Sequence, residues 1–158
     1  MGIIPVSAPA QPFVISPDGS EVTDQQTGLI WQRCVEGMIW NETTCVGDAT
    51  LFTHEEALQH ASAQASHTGI PWRLPNIKEL ASIVSKSRIN PTIDITTFPA
   101  MPFLSHHWSS TPAMGPTSDA NGAWGFSFTY GNIFAYSRYL KGYVRLVRAG
   151  QWWGPATD

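Results

Sequence analysis

Few side chains in this sequence are spaced to do chemistry. Five histidines stand at positions 54, 60, 67, 106 and 107, and two cysteines at 34 and 45. A protein metal site needs three or four such ligands converging on one ion. His60 and His67 are nearly two helical turns apart, about 10 Å along an axis. His106 and His107 are adjacent, so on a strand they face opposite ways. The spacing predicts surface or capping histidines rather than zinc or copper ligands. Glu55 and Glu56 are neighbours at a helix start, where negative charge favours the helix dipole, and they read as structural rather than as an acid–base pair. Gly-rich phosphate loops and the HExxH and GxSxG patterns are absent. These residues predict a protein that is not an enzyme and uses no cofactor and no metal.

Cys34 and Cys45 bracket VEGMIWNETT, which reads as a loop between two strand-like stretches. A disulfide closing this short loop is the favoured reading and implies an oxidising compartment; two buried free thiols are the alternative. The opening MGIIPVSAPAQPF lacks the cationic segment and apolar core of a signal peptide.

The elements that must hold any site follow from caps and periodicity. Thr53 and Glu56 form a capping box ahead of Ala57, Leu58, Ala61 and Ala65, predicting a helix over 54–67 with a narrow, small-residue face. Asn76 and Glu79 repeat the signature and predict a second helix over 77–86. Residues 90–102, rich in Pro and Thr, predict an ordered loop. HWSST at 107–111 reads as a short strand, Trp124, Phe126 and Phe128 alternate with small residues, and Gly131-Asn132 signals a hairpin turn. YVRLVR at 143–148 reads as a strong strand. Two helices followed by an aromatic antiparallel sheet make an α+β domain. Its expected bounds are 22–150, after a flexible lead-in over 1–21 and before a tail over 151–158.

Composition narrows the class. The chain has 158 residues, 21 of them charged and 18 aromatic. That is too many aromatics and too little charge for a disordered chain, and no apolar run reaches the ~20 residues of a membrane span. Residues 1–119 carry five Lys/Arg against eleven Asp/Glu, whereas residues 120–158 carry Arg138, Lys141, Arg145 and Arg148 against Asp158. The cationic end is compatible with an anionic ligand, but Arg145 and Arg148 read first as solvated strand residues. Nucleic acid is not expected, since no basic cluster or binding motif is present. Trp31, Trp72, Trp108 and Trp124 lie in strand-like segments and read as core. Tyr130, Phe134, Tyr136 and Tyr139 cluster among Gly, Ser and Asn beside Arg138 and Lys141, a composition typical of binding surfaces; inward packing of two or three of them is the alternative.

The succession TDQQTGLIWQRC, capped helix, PWRLPNIKELASIV, HWSS, AWGFSF, GN and YVRLVR resembles the C-terminal domain of Legionella collagen-like adhesins, over about residues 22–148. The resemblance implies a C-type-lectin-like α+β domain with two helices and a small twisted antiparallel sheet. It also implies an exported protein, at the cell surface or extracellular, that binds ligands without catalysis. It is similar as well to variable proteins of diversity-generating retroelements, whose last segment is mutated at adenines. Such mutagenesis does not produce Lys, Glu, Gln, Met or Trp, and residues 125–140 contain none of these five types. Carried over, the scaffold is Trp31, Trp72, Leu74, Trp108, Trp124, Tyr143 and Val144. The displayed, ligand-binding positions are Thr129, Tyr130, Phe134, Tyr136, Ser137, Arg138, Tyr139 and Leu140, with Lys141 beside them. The EPN, QPD and WND triplets of calcium lectins are missing. The expected partner is a protein or a glycan met at the 130–141 surface. The alternative is an oligomeric adhesin that uses the C-terminal cations on sulfated glycans.

Overall fold

The computed structural model describes residues 12–113 and 122–150. Short apolar runs cut by turn residues make short strands, and pairing brings the beginning of the described chain against its end. Strands β1 (Phe13–Ile15), β2 (Glu21–Asp24) and β3 (Leu29–Gln32) form an antiparallel meander. Strand β9 (Val147–Ala149) closes this sheet on the β3 side, pairing Trp31 with Val147. Part of the lead-in expected over 1–21 belongs to the sheet instead, because Phe13 and its neighbours pair with β2; residues 1–11 and the tail over 151–158 lie outside the described residues. Alternation along β2 and β3 sends Val22, Leu29 and Trp31 inward, where they meet Leu80, Ile83, Ile93, Phe98, Phe126 and Phe128.

The cysteine loop holds structure of its own. Strands β4 (Ile39–Trp40) and β5 (Cys45–Val46) form a small hairpin, whose turn is set by Asn41 Oδ1 accepting from the Thr43 and Thr44 amides. The Cys34–Cys45 disulfide clamps it, with Cα atoms 5.6 Å apart.

Helix α1 (His54–Thr68) starts at the expected capping box and ends at Gly69, whose φ of 73° is the left-handed conformation that glycine adopts freely. Ala57 and Ala61 let its backbone approach Trp108, Trp72 and Leu146 in a second core cluster. Helix α2 (Ile77–Ser82) starts at Asn76 as expected but stops at Ser82, short of residue 86. Beyond it the Ser85 amide donates to Thr92 O, drawing the chain into the ordered 90–102 loop.

The second sheet has the order β6 (His107–Pro112), β7 (Gly122–Ser127), β8 (Asn132–Ser137), so β7 is central and β8 an edge. Phe126 enters the first cluster and Ala123 the second. Both faces of β7 are thus covered, and Trp124, read as core, is only half-buried.

The strand expected over 143–148 is largely not one. Gly142 and Tyr143 make isolated bridges to Phe52 and His107, and only from Val147 does the chain enter a sheet. Residues 143–147 are all buried as they cross from one sheet to the other, so the mostly apolar run here marks enclosure rather than a strand of either sheet. Arg145 and Arg148 are not solvated strand residues. Arg145 is buried, donates from Nη1 to the carbonyls of Gln32 at 3.0 Å and Arg33 at 2.6 Å, and lies over the Phe98 ring. Arg148 is paired with Glu21 at 2.8 Å and faces Trp72. The molecule is an α+β fold, with two helices and small antiparallel sheets among the described residues.

Candidate ligand-binding surface

The hairpin joining β7 to β8 is built from below. Gly131 turns the chain at φ 72°, its amide donating to Ser127 O at 2.7 Å, and the Tyr130 amide meets Ser127 Oγ at 3.3 Å. Thr92 supports the turn, its amide and Oγ1 both donating to Phe128 O. Phe128 is buried by this arrangement, while the next two residues point outward: Thr129 is half-buried and Tyr130 is 75% exposed.

After β8 the chain returns through 138–141, held by its backbone. Arg138 O accepts from the His54 amide, Leu140 N donates to Ser137 O, and Gly142 exchanges two hydrogen bonds with Phe52. Fixing the backbone here leaves Tyr139 76% exposed and Leu140 and Lys141 exposed.

A segment between the ordered 90–102 loop and β6 faces this hairpin. Phe103 and Leu104 are 69% and 83% exposed. Ser105 Oγ donates to Lys141 O at 2.7 Å and Thr129 Oγ1 to Phe103 O at 3.4 Å, so the two walls are tied at both ends. Between them is a cleft of about 580 Å³. It gathers Thr129, Tyr130, Phe134, Tyr136, Leu140 and Lys141, but not Ser137, Arg138 or Tyr139. Ser137 Oγ accepts from the Tyr139 amide, and Arg138 Nε donates to Gly122 O at 3.2 Å. Phe103, Leu104, Ser105, His106 and Ser127 line the cleft unforeseen. Two consecutive large apolar residues just past the Pro- and Thr-rich 90–102 stretch were the signal for the first pair.

The floor is aromatic. His106 is 5% exposed and stacks on Tyr136, ring centroids 3.8 Å apart and planes 6° from parallel, with Trp108 edge-on at 4.3 Å. Glycine is required beneath this stack. A Cβ on Gly125 would come within 2.9 Å of Tyr136 Cδ2, and one on Gly142 within 2.7 Å of His106 Nε2. Burial pushes the His106 imidazole down to about 4, so the ring is neutral at pH 7 and stacks without a charge to solvate. Burial likewise raises the Tyr136 hydroxyl above its usual range.

The expectation of surface or capping histidines fails for three of the five. His54 is buried and shares a hydrogen bond with Ser109 O at 2.9 Å, while His106 and His107 lie in the aromatic core. His107 is held well below its ordinary value by burial, with Arg145 and His106 adding to the shift. Among the described residues, no three His, Cys, Asp or Glu side chains gather into a metal-holding group.

A second cleft, of about 500 Å³, lies at the disulfide hairpin and is lined by Asp18, Gln32, Glu36, Trp40 and Glu42, among others. Its chemistry is already satisfied. Glu36 binds His60 at 3.0 Å and Gln32 at 2.8 Å, and Trp40 donates to Asp18 O while Arg33 covers its ring.

No curated protein matches this chain. The family model of the Lcl C-terminal domain matches residues 20–148, from β2 through the hairpin to β9, and by that match the chain belongs to the Lcl C-terminal domain family.

Proposed function

We propose that the chain is a non-catalytic recognition domain on a C-type-lectin-like scaffold, exported to a surface or the extracellular space, that binds protein or glycan ligands at the β7–β8 hairpin. One observation carries this reading: the cleft walled by the hairpin and by Phe103 and Leu104, over a rigid His106–Tyr136 floor. Its backbone is fixed by hydrogen bonds while its large side chains stand in solvent, which lowers the ordering cost of binding. Membership of an adhesin-associated family agrees with a ligand-binding role and a surface or extracellular place. The disulfide fits an oxidising compartment. Among the described residues no helix is long and apolar enough to cross a membrane.

Six of the residues lining the cleft fall within 125–140, the stretch free of Lys, Glu, Gln, Met and Trp: Ser127, Thr129, Tyr130, Phe134, Tyr136 and Leu140. That coincidence supports a diversified segment, and a near-identical template copy beside a reverse-transcriptase gene is the observation that checks it. The ligand-binding role is tested on a glycan array and a displayed peptide library. Binding should be lost in the Tyr130→Ala/Tyr139→Ala/Leu140→Ala variant while its melting temperature stays within a few degrees of the parent. Ligands retained by that variant would place the site elsewhere. Tyr136 is left out because its ring packs on His106 and its loss would disturb the floor.

A further inference from the structure

The ligand-binding reading leaves the partner class open, and the chemistry of the cleft narrows it. Its walls are apolar, Phe103 and Leu104 on one side and Phe134 and Leu140 on the other, with Tyr130 at the rim. Among the described residues, Lys141 is the one charged side chain lining it, and no carboxylate or carboxamide does so. Tyr139, beside Leu140 in the chain, extends the exposed aromatic surface beyond the cleft. Contiguous exposed apolar surface of this kind marks a place where a macromolecule docks.

A sulfated glycan needs several cations acting together, and among the described residues this cleft is lined by one. Arg145 is buried on backbone carbonyls, Arg148 is paired with Glu21, and Arg138, whose Nε donates to Gly122 O, does not line the cleft. Neutral sugars are poorly served as well, since only Ser, Thr and Tyr hydroxyls and Lys141 offer polar groups at the surface of this cleft.

We propose that the cleft is a docking site for a protein partner that inserts an aliphatic or aromatic side chain between Phe103 and Leu104 on one wall and Phe134 and Leu140 on the other, and sets an aspartate or glutamate against Lys141. The apolar insertion supplies the affinity, as a buried anchor in a pocket does at other interfaces. The single cation supplies orientation and on-rate. Ser105 keeps the walls at their spacing through its bond to Lys141 O. This proposal rests on the ligand-binding reading and goes beyond it in the class of partner.

The test pans a phage-displayed random dodecapeptide library against the whole chain, then measures the enriched peptides, made synthetically, by fluorescence polarisation beside a heparin octasaccharide. Enriched sequences should share a large apolar residue within a few positions of Asp or Glu. Leu104→Ser and Leu140→Ser should each weaken the peptide about tenfold or more, the scale of a hot-spot truncation. Lys141→Glu should weaken it several-fold, and a peptide whose acidic residue is changed to Lys should recover that loss. Ile89→Ser, at a residue 90% exposed outside the cleft, should change nothing. Enrichment without the apolar–acidic pattern, indifference to Leu104→Ser, or self-association abolished by Leu104→Ser in sedimentation would each overturn the proposal. Heparin binding lost with Tyr130→Ala/Tyr139→Ala, with no peptide enriched, would overturn the partner class and leave the ligand-binding reading standing. If neither probe responds to the hairpin substitutions, both fall.

Discussion

Trp108 on β6 and Tyr130 at the hairpin tip belong to one three-stranded sheet, yet the first is wholly buried and the second stands mostly in solvent. Trp108 packs against Ala57 and Ala61 of α1 and donates from Nε1 to Phe52 O at 2.8 Å. Tyr130 has its backbone fixed by Ser127 and its ring left free. The difference separates two demands on aromatic residues: side-chain packing specifies the core, whereas backbone hydrogen bonds alone specify the face. A face built in this way tolerates replacement of its side chains, because the fold does not count on them. Tyr136 joins the two regions, stacked on buried His106 beneath and lining the cleft above.

The comparison is broken most forcefully from the core side. Trp108→Ala should cost about 3–5 kcal/mol, the range for aromatic truncation in a core, read as a large drop in midpoint by chemical denaturation. Removing the Cys34–Cys45 bridge by a double serine substitution should cost about 2–4 kcal/mol, mainly by freeing the unfolded chain; the reduced protein should melt at the same lowered temperature as the variant. Acid should act on the core as well. The His54, His106 and His107 pKa values are all depressed in the folded state, chiefly by burial. As pH falls through ~6.5 the unfolded chain takes up protons that the folded chain refuses. Stability therefore declines by about 1.4 kcal/mol per pH unit for each such proton, and for His106 the decline levels off below about 4. Denaturation midpoints flat from pH 7 to 4 would show that these rings are solvated. From the face side the effect should nearly vanish: Tyr130→Ala and Tyr139→Ala should each change stability by less than about 0.5 kcal/mol. A larger loss in either would mean that the tyrosine face is core and would erase the contrast.

Local rules were legible wherever neighbouring residues decide the outcome. The Thr53–Glu56 and Asn76–Glu79 boxes gave both helix starts, and the turn residue Gly131 gave the hairpin. Exposure of Tyr130 and Tyr139 also agrees with their place among Gly, Ser and Asn in turns, whereas Tyr136, on a strand, packs on His106. Burial of polar groups was not legible. His54 finds its partner 55 residues away at Ser109, and Arg145 finds its carbonyls 112 and 113 residues away at Arg33 and Gln32. The second wall of the cleft was missed for the same reason: Phe103 and Leu104 lie outside any regular element, and the Ser105–Lys141 and Thr129–Phe103 bonds set them opposite the hairpin.

By itself, the sequence determined the α+β class, the family and the helix caps, since each is written in residue type and short-range spacing. The tertiary structure decided which cations remain free and which aromatics form walls. It also decided that YVRLVR crosses between two sheets rather than lying within one. Those outcomes depend on desolvation and on contacts between distant segments, which no local pattern encodes.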